Sequence, residues 1–275
     1  MRILLAGFLL LIPLHRSLFP QGNSVLDFAD HLYNSEQYDR AITEYERYLY
    51  TRARTARDSG YGIIQIEKCY YLAGNYQGAI SYFEAMRPVI SNVDTIYAAM
   101  IHYAGLSYLK LGHPGSAILF LRQNTDDPRS QYFLGVSNLY LYNWDEAHAY
   151  FKALETCDDT SIAAASKRLA IAAQDGERIK AKSPILAAIL SGIIPGSGYL
   201  YTGNYQTAFV ALVINSLLLG SSYEIARNGL KVTGTTATVL SMGWYLGNIF
   251  GSFNAAVKYN DRLKKEHIAK SLPDW

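Results

Sequence analysis

The pattern of hydrophobic and polar residues changes at about residue 182. Before it, small and aromatic residues recur at helical spacing among polar ones, which is typical of helices that pack together in water. After it come three apolar runs without a charged residue, at 185–194, 207–223 and 232–257. The pattern predicts an all-α protein with a helical domain at 23–182, a membrane domain at 183–260 and a basic tail at 261–275.

Four alanines mark an internal repeat in the first part of the chain: Ala41, Ala79, Ala117 and Ala147. Each alanine is predicted to start a second helix, and three residues before them stand Tyr38, Tyr76, Pro114 and Trp144. Four residues after them stand Tyr45, Phe83, Leu121 and Phe151. Twelve residues before them stand Ala29, Glu67, Gly105 and Gly135. The repeat predicts four helix pairs, and the alanine-rich stretch 160–180 predicts a closing helix.

This order of small and aromatic positions resembles the tetratricopeptide (TPR) repeat, and 70–79 is the best copy. The resemblance implies a solenoid of antiparallel helix pairs whose first helices form a concave face for a protein or peptide. Carrying over the groove positions gives Tyr33, Asn34, Lys68, Tyr71, His102, Tyr132 and Tyr140. Helix-on-helix packing is the alternative role for these side chains, since the chain has 23 tyrosines.

The chain departs from the TPR pattern at several positions. The four alanines are 38, 38 and 30 residues apart (79 − 41, 117 − 79 and 147 − 117) rather than the family's 34. Glu67 occupies a small-residue position and is expected to weaken that helix crossing. Pro128 excludes Asp127 from a helix, and Pro88 is expected to act similarly after Met86.

The amino terminus has the features of an export signal, because Met1-Arg2 precedes the short apolar run 3–14. We predict a signal peptide over 1–22, with an uncleaved anchor as the alternative because no small-x-small cleavage site follows. No cysteine lies nearby, which excludes a lipoprotein. The two cysteines, Cys69 and Cys157, fall in non-adjacent repeats and are predicted to stay unpaired.

Proline and paired glycines interrupt the apolar part at 195–203, PGSGYLYTG. An interrupted backbone survives at membrane depth only where protein or a wet cavity covers it, so a half-length helix is predicted at 184–194. A turn between helices and a ligand-binding loop are the two interpretations. A phosphate-binding loop is excluded, because no strand precedes the glycines and no Lys-Ser/Thr follows. The motif residues are Pro195, Gly196, Gly198, Tyr201 and Gly203.

Together with 182–184, KSP, this motif is similar to the bacterial relatives of the small two-helix TM2 domain. The stretches 244–251 and 258–260 are similar to the tails of bacterial envelope TPR proteins. The resemblance covers about the last third of the chain and implies an envelope membrane domain. It implies no catalytic residues.

The runs 207–223 and 232–257 predict a membrane helical hairpin. Asn215 and Asn248 are expected to face protein and to hydrogen-bond across helices. Gly243, Gly247 and Gly251 recur every four residues and predict close helix packing, either against Ala211 and Asn215 of this chain or against a second copy. The first partner is favoured, because a short loop already holds that helix nearby.

The remaining composition narrows the function class. A net charge of +2 does not indicate a nucleic-acid partner. The six histidines have no metal-ligand spacing, and no nucleophile, base and acid form a recognisable motif. The sequence therefore predicts no enzyme and no cofactor.

The two resemblances lead to one functional prediction and one alternative. The first is a non-enzymatic TPR scaffold in the bacterial cell envelope, anchored in the inner membrane with its repeats outside the cytoplasm. The second is an accessory subunit of a transport or membrane-protein-insertion assembly. An exported start and a basic cytoplasmic tail require three crossings, whereas two crossings would leave that tail outside.

Overall fold

The computed structural model describes residues 24–52, 56–90, 94–229 and 231–272. The predicted signal segment 1–22 lies outside these residues. Throughout the described residues the fold is all-α, with thirteen α-helices, one short 3₁₀ turn and no strand. The chain divides into an N-terminal unit, Met1–Glu177 with Ser271–Trp275, and a C-terminal unit, Arg178–Lys270.

The N-terminal unit contains helices α1 to α9, and each packs against the next. Their bounds are α1 Ser24–Asn34, α2 Tyr38–Arg52, α3 Ala56–Leu72, α4 Tyr76–Ile90, α5 Asp94–Lys110, α6 Pro114–Leu121, α7 Pro128–Tyr140, α8 Trp144–Ala153 and α9 Thr160–Glu177. The four predicted second helices are present as α2, α4, α6 and α8, and each begins three residues before the alanine at which the sequence predicts it to start. The closing helix α9 ends three residues before the predicted Lys180.

Local chemistry accounts for the start of α7. The Asp127 backbone is extended, and its side chain accepts a hydrogen bond from the Arg129 main-chain N–H at 3.1 Å. Pro128 is the first helical residue, where its missing N–H has no intrahelical partner to lose. The prediction that Pro128 excludes Asp127 from the helix is confirmed.

Pro88 does not act as predicted, because α4 continues through it to Ile90. Proline removes one donor to the carbonyl four residues earlier and crowds that carbonyl. Pro88 lies only two residues before the last residue of α4, so little helix remains beyond the interruption. The expected helix end at Met86 is wrong.

The small and large repeat positions meet in the core of the N-terminal unit. A side chain added at Gly105 would come within 2.7 Å of Leu121, and one added at Gly135 within 2.7 Å of Phe151. Ala41, together with the other three repeat alanines, is completely buried. Where the helices cross at Gly105 and Gly135 there is room only for the hydrogen of glycine, because the large side chain of the neighbouring helix fills the remaining space.

The C-terminal unit contains α10 Pro184–Ile193, α11 Ser197–Tyr201, α12 Tyr205–Arg227 and most of α13 Lys231–Ser271. Among the described helices, α12 is long and apolar enough to cross a membrane over Tyr205–Ile225, and α10 is a shorter apolar helix. The predicted second run, 232–257, lies in α13, which does not meet this criterion; its two asparagines, Asn248 and Asn254, lower the hydropathy of the run most.

Candidate functional site

Aromatic rings of three first helices form a continuous row in the N-terminal unit, here called the aromatic row. Tyr71 of α3 lies 5.7 Å from Tyr103 of α5, measured between ring centroids. Tyr103 lies 5.6 Å from His102, which lies 5.7 Å from Phe133 of α7. Phe133 lies 5.2 Å from Tyr132. These separations favour edge and offset contacts between the rings, and all five side chains are partly exposed.

The other predicted groove residues lie outside this row. The Lys68 ammonium is 4.9 Å from the centre of the Tyr33 ring, a cation–π contact between α3 and α1. Burial lowers the pKa of Lys68 and raises that of Tyr33. Asn34 and Tyr140 are exposed at the ends of α1 and α7. The structure thus brings three of the seven predicted groove residues, Tyr71, His102 and Tyr132, into one row.

His102 is held neutral by its surroundings. Burial is the main cause that lowers its pKa to about 4; Asp127 opposes the shift and Arg129 adds to it. Its Nδ1 lies 3.4 Å from the Ser130 hydroxyl. At neutral pH this ring therefore acts as an uncharged aromatic member of the row.

Two members of the row, Tyr103 and Phe133, are absent from the predicted groove set. Both stand fourteen residues before a repeat alanine (117 − 103 and 147 − 133), directly after His102 and Tyr132. This shared position relative to the repeat alanine could have identified both residues from the sequence. Residues at that position in the first two repeats, Asp27 and Gln65, are not aromatic, which hid it.

Glu67 is the buried carboxyl of this unit. It is fully buried in α3, and neither carboxylate oxygen has a hydrogen-bond partner. Burial raises its pKa well above the ordinary value, so the neutral acid is the favoured form. The expectation that Glu67 disturbs its small-residue position agrees with this unpaired burial.

Within the described ranges, no group of three or more His, Cys, Asp and Glu side chains is arranged to hold a metal ion. Cys69 and Cys157 are both free thiols, as predicted. Cys69 is buried, and that burial raises its pKa to about 12, so it is not a reactive thiolate.

The interrupted segment of the C-terminal unit is a turn that holds the short helix α11. Gly196 has φ +89°, and an added Cβ would collide with the Ala208 carbonyl of α12. The Gly198 N–H donates to Ser191 Oγ at 2.9 Å, and a Cβ there would collide with the Ala187 carbonyl. Gly203, with φ +82°, follows the end of α11. The glycines therefore permit close backbone contact and left-handed turns.

Three separate segments meet at Lys182, in an arrangement here called the Lys182 clasp. The Lys182 main-chain N–H donates to Asn260 Oδ1, and Asn260 Nδ2 donates to the Lys182 carbonyl, each at 2.8 Å. The Lys182 ammonium donates to the Tyr201 carbonyl at 2.6 Å. It also lies 4.3 Å from the Tyr259 ring centre. The stretches 182–184, 195–203 and 258–260, whose resemblance was noted separately, are thus joined by Lys182, Tyr201 and Asn260.

Serines and Tyr245, rather than Asn215 and Asn248, make hydrogen bonds between these helices; the Tyr245 hydroxyl donates to the Gly192 carbonyl at 2.9 Å. Ser191 Oγ lies 2.6 Å from Ser252 Oγ, and Ser222 Oγ lies 2.8 Å from Ser241 Oγ. Asn215 donates within its own helix, to the Ala211 carbonyl at 2.7 Å. The prediction that the asparagines face protein is confirmed, whereas the predicted bonds across helices are absent.

Asn248 is 7% exposed, and neither atom of its amide has a hydrogen-bond partner. Both a donor and an acceptor are therefore buried without protein partners in this unit. Burying such a group costs about 1–3 kcal/mol. Asn215 differs, because its side-chain amide donates a hydrogen bond to the Ala211 carbonyl.

The glycine stripe does not pack against α12. At Gly243 and Gly247 an added Cβ would meet nothing within 4 Å, so these positions face open space. At Gly251 it would collide with the Tyr199 side chain of α11. The prediction of packing within the chain is wrong for Gly243 and Gly247. It holds for Gly251, although with a different helix from the one predicted, because α11 fills that position.

Family models and curated protein sequences give no match to this chain.

Proposed function

We propose that this protein is a membrane-anchored helical-repeat scaffold of the TPR type, which binds a protein or peptide partner through the first helices of 23–182. The observation that carries this proposal is the aromatic row across α3, α5 and α7. Rigid tyrosines offer a large contact area with a polar tip at small entropic cost, which suits recognition surfaces. Binding without a chemical reaction is the proposed activity.

The register of the helix pairs supports the TPR assignment. Four second helices begin three residues before a buried alanine, and Gly135 lies against Phe151. The family's pattern requires this meeting of a small and a large residue at each crossing. The assignment to a solenoid follows from the repetition of the same pair.

The proposed anchor is the C-terminal unit. Its helix α12 exposes large apolar side chains such as Phe209, at 68%, and Leu217, at 65%. Such a surface suits contact with lipid tails. The proposed location is a bacterial inner membrane with exported repeats; this assignment depends on the signal-like start and on the basic residues after Val257.

Site-specific photo-crosslinking of the full chain tests the partner-binding face. A photoreactive residue replaces Tyr140, exposed on first helix α7, or Tyr50, 93% exposed on second helix α2. We expect a discrete partner adduct from position 140 and none from position 50, in cells that express the membrane-inserted protein. Equal adducts from both positions, or none from position 140, would contradict binding through the first helices.

A second candidate function, an accessory role in transport or membrane-protein insertion, is favoured by Asn248. Interrupted membrane helices and unpaired polar groups occur at substrate sites in transporters. Proteoliposomes containing the full chain should then show flux or insertion of a test substrate above empty vesicles. Asn248→Leu should abolish it, and Gly247→Ala, at an open position one residue away, should not. Activity equal to that of empty vesicles rejects this function.

A further inference from the structure

Two cations contact one tyrosine ring beside the Lys182 clasp. Lys182 Nζ lies 4.3 Å from the Tyr259 ring centre, and Arg262 Cζ lies 5.5 Å from it. Lys258, next along α13, is exposed, and Lys180 is exposed just before the clasp. Grouping like charges costs free energy unless an anion compensates them, so the cluster has the character of an anion site.

The carboxylates on this part of α13 pair with other cations or only weakly with the cluster; Asp261 pairs with Lys265 at 2.8 Å. No ion pair among the described residues involves Lys182 or Lys258. Arg262 pairs with Glu266 at 3.8 Å, but both side chains are more than half exposed, so this pair is weak. One of the three ammonium protons of Lys182 serves the Tyr201 carbonyl, which leaves the others for a further acceptor.

The apolar helices begin at this cluster. α10 starts at Pro184, two residues after Lys182, and its Ile185 is 66% exposed. α12 starts at Tyr205, four residues after the carbonyl that holds Lys182, and Tyr205 is 70% exposed. If these helices lie in lipid, the cluster lies at the level of the lipid headgroups, where tyrosine and lysine are favoured.

We propose that Lys182 and Arg262, which contact the Tyr259 ring, bind the phosphate of an anionic phospholipid headgroup together with the exposed Lys258, which lies about one turn before Arg262 on α13. This inference rests on the proposed membrane anchor and adds to it a specific lipid class. The two hydrogen bonds between the Asn260 side-chain amide and the Lys182 main chain fix where the Lys182 side chain starts, so the site is positioned before the lipid arrives.

Lipid titration of the full chain in neutral detergent tests this proposal. Phosphatidylglycerol should raise the melting temperature more than phosphatidylcholine does, and added salt should reduce the difference. Lys258→Gln should weaken the apparent affinity for phosphatidylglycerol about fivefold, the effect of one cation near an anionic surface. Lys182→Arg, which keeps the charge, should retain most of the affinity, whereas Lys182→Gln should lose it.

Arg227 provides the matched control, because it is an exposed cation at the opposite end of α12, roughly 33 Å away by helical rise. Arg227→Gln should leave the affinity unchanged; a loss equal to that of Lys258→Gln would overturn a defined site. Inorganic phosphate should cause no shift, and a shift equal to that of phosphatidylglycerol would overturn the choice of a lipid.

Flotation with vesicles of phosphatidylcholine alone tests the membrane anchor separately from the headgroup site. A chain that does not float with neutral vesicles refutes the membrane anchor itself. A chain that floats but responds equally to both lipids in the titration keeps its anchor and refutes the headgroup site.

Discussion

The two units differ in the size of the side chains that they bury. The N-terminal unit buries large residues completely, among them Tyr45, Phe83 and Phe151. The C-terminal unit buries small polar residues such as Ser191 and Ser252, while Trp244 and Phe250 stay exposed at 53% and 66%. Burial of apolar surface from water organises the first unit. In the second, close backbone approach and short hydrogen bonds join the helices, for example between Ser191 and Ser252 at 2.6 Å.

The same division separates the charges. The N-terminal unit has 15 Lys and Arg against 20 Asp and Glu, a net charge of 15 − 20 = −5. The C-terminal unit has 10 against 3, a net charge of 10 − 3 = +7. The total of +2 conceals this asymmetry. A strongly basic unit with exposed apolar helices suits an anionic lipid surface, and the acidic unit does not.

The largest expected effect comes from truncating a large aromatic residue in each unit. Phe151→Ala should destabilise the N-terminal unit by about 3–5 kcal/mol, because it removes a completely buried ring and leaves a cavity. Phe250→Ala, at an exposed position of α13, should change stability little. Thermal unfolding of both variants in detergent, followed by circular dichroism, measures the difference. Equal losses would show that the two units are built in the same way.

A smaller effect is expected from adding one methyl group to the C-terminal unit. Gly198→Ala should cost about 1–3 kcal/mol, because its Cβ would collide with the Ala187 carbonyl, a backbone atom that cannot rotate away. Gly247→Ala should be neutral, since nothing lies within 4 Å. Protease resistance in detergent distinguishes them. If the Gly247→Ala monomer is sensitive to protease, Gly247 packs against another part of the same chain, contrary to the structure.

Gly247→Ile sharpens the same comparison at the level of assembly. Because Gly247 faces open space, the larger side chain should leave the folded monomer intact. If the stripe meets a second copy, this variant should convert a dimer into a monomer, as measured by light scattering. A loss of folding without a change in mass would contradict both statements.

A final prediction concerns Glu67, the fully buried carboxyl in the core of the N-terminal unit. The pKa of Glu67 is raised in the folded state. Its contribution to the free energy of unfolding is therefore complete below the unfolded pKa of about 4.3 and is lost as the pH rises through the folded pKa. The wild type should therefore lose up to about 1.4 kcal/mol per pH unit in that interval. Glu67→Gln should lack this slope. Melting temperatures of both proteins across pH 4–8 measure it, and parallel profiles would refute the assignment.

Much of the helix pattern was predictable because it depends on local signals. Pro114 and Pro128 begin α6 and α7, where a proline is tolerated, and the repeat alanines are buried at the expected spacing. Pro88 was the local failure. Its position near the end of α4 made the interruption cheaper than ending the helix early.

The candidate sites were less predictable. Residue type and register identified Tyr71, His102 and Tyr132, but Tyr103 and Phe133 join the row only because neighbouring helices place them between those rings. The glycine spacing showed a small-residue stripe on α13, but only the fold shows that Tyr199 covers Gly251 and that Gly247 is uncovered.

By itself, the sequence determined the helical class, the positions of the second helices to within about one turn, and the two contrasting parts of the chain. Each depends on residue spacing within about one helical turn or on local composition. Tertiary structure alone decided which segments meet, such as Lys182 with Asn260, 78 residues apart. Helical periodicity shows which face of a helix is covered, but the covering segment depends on the path and register of distant parts of the chain.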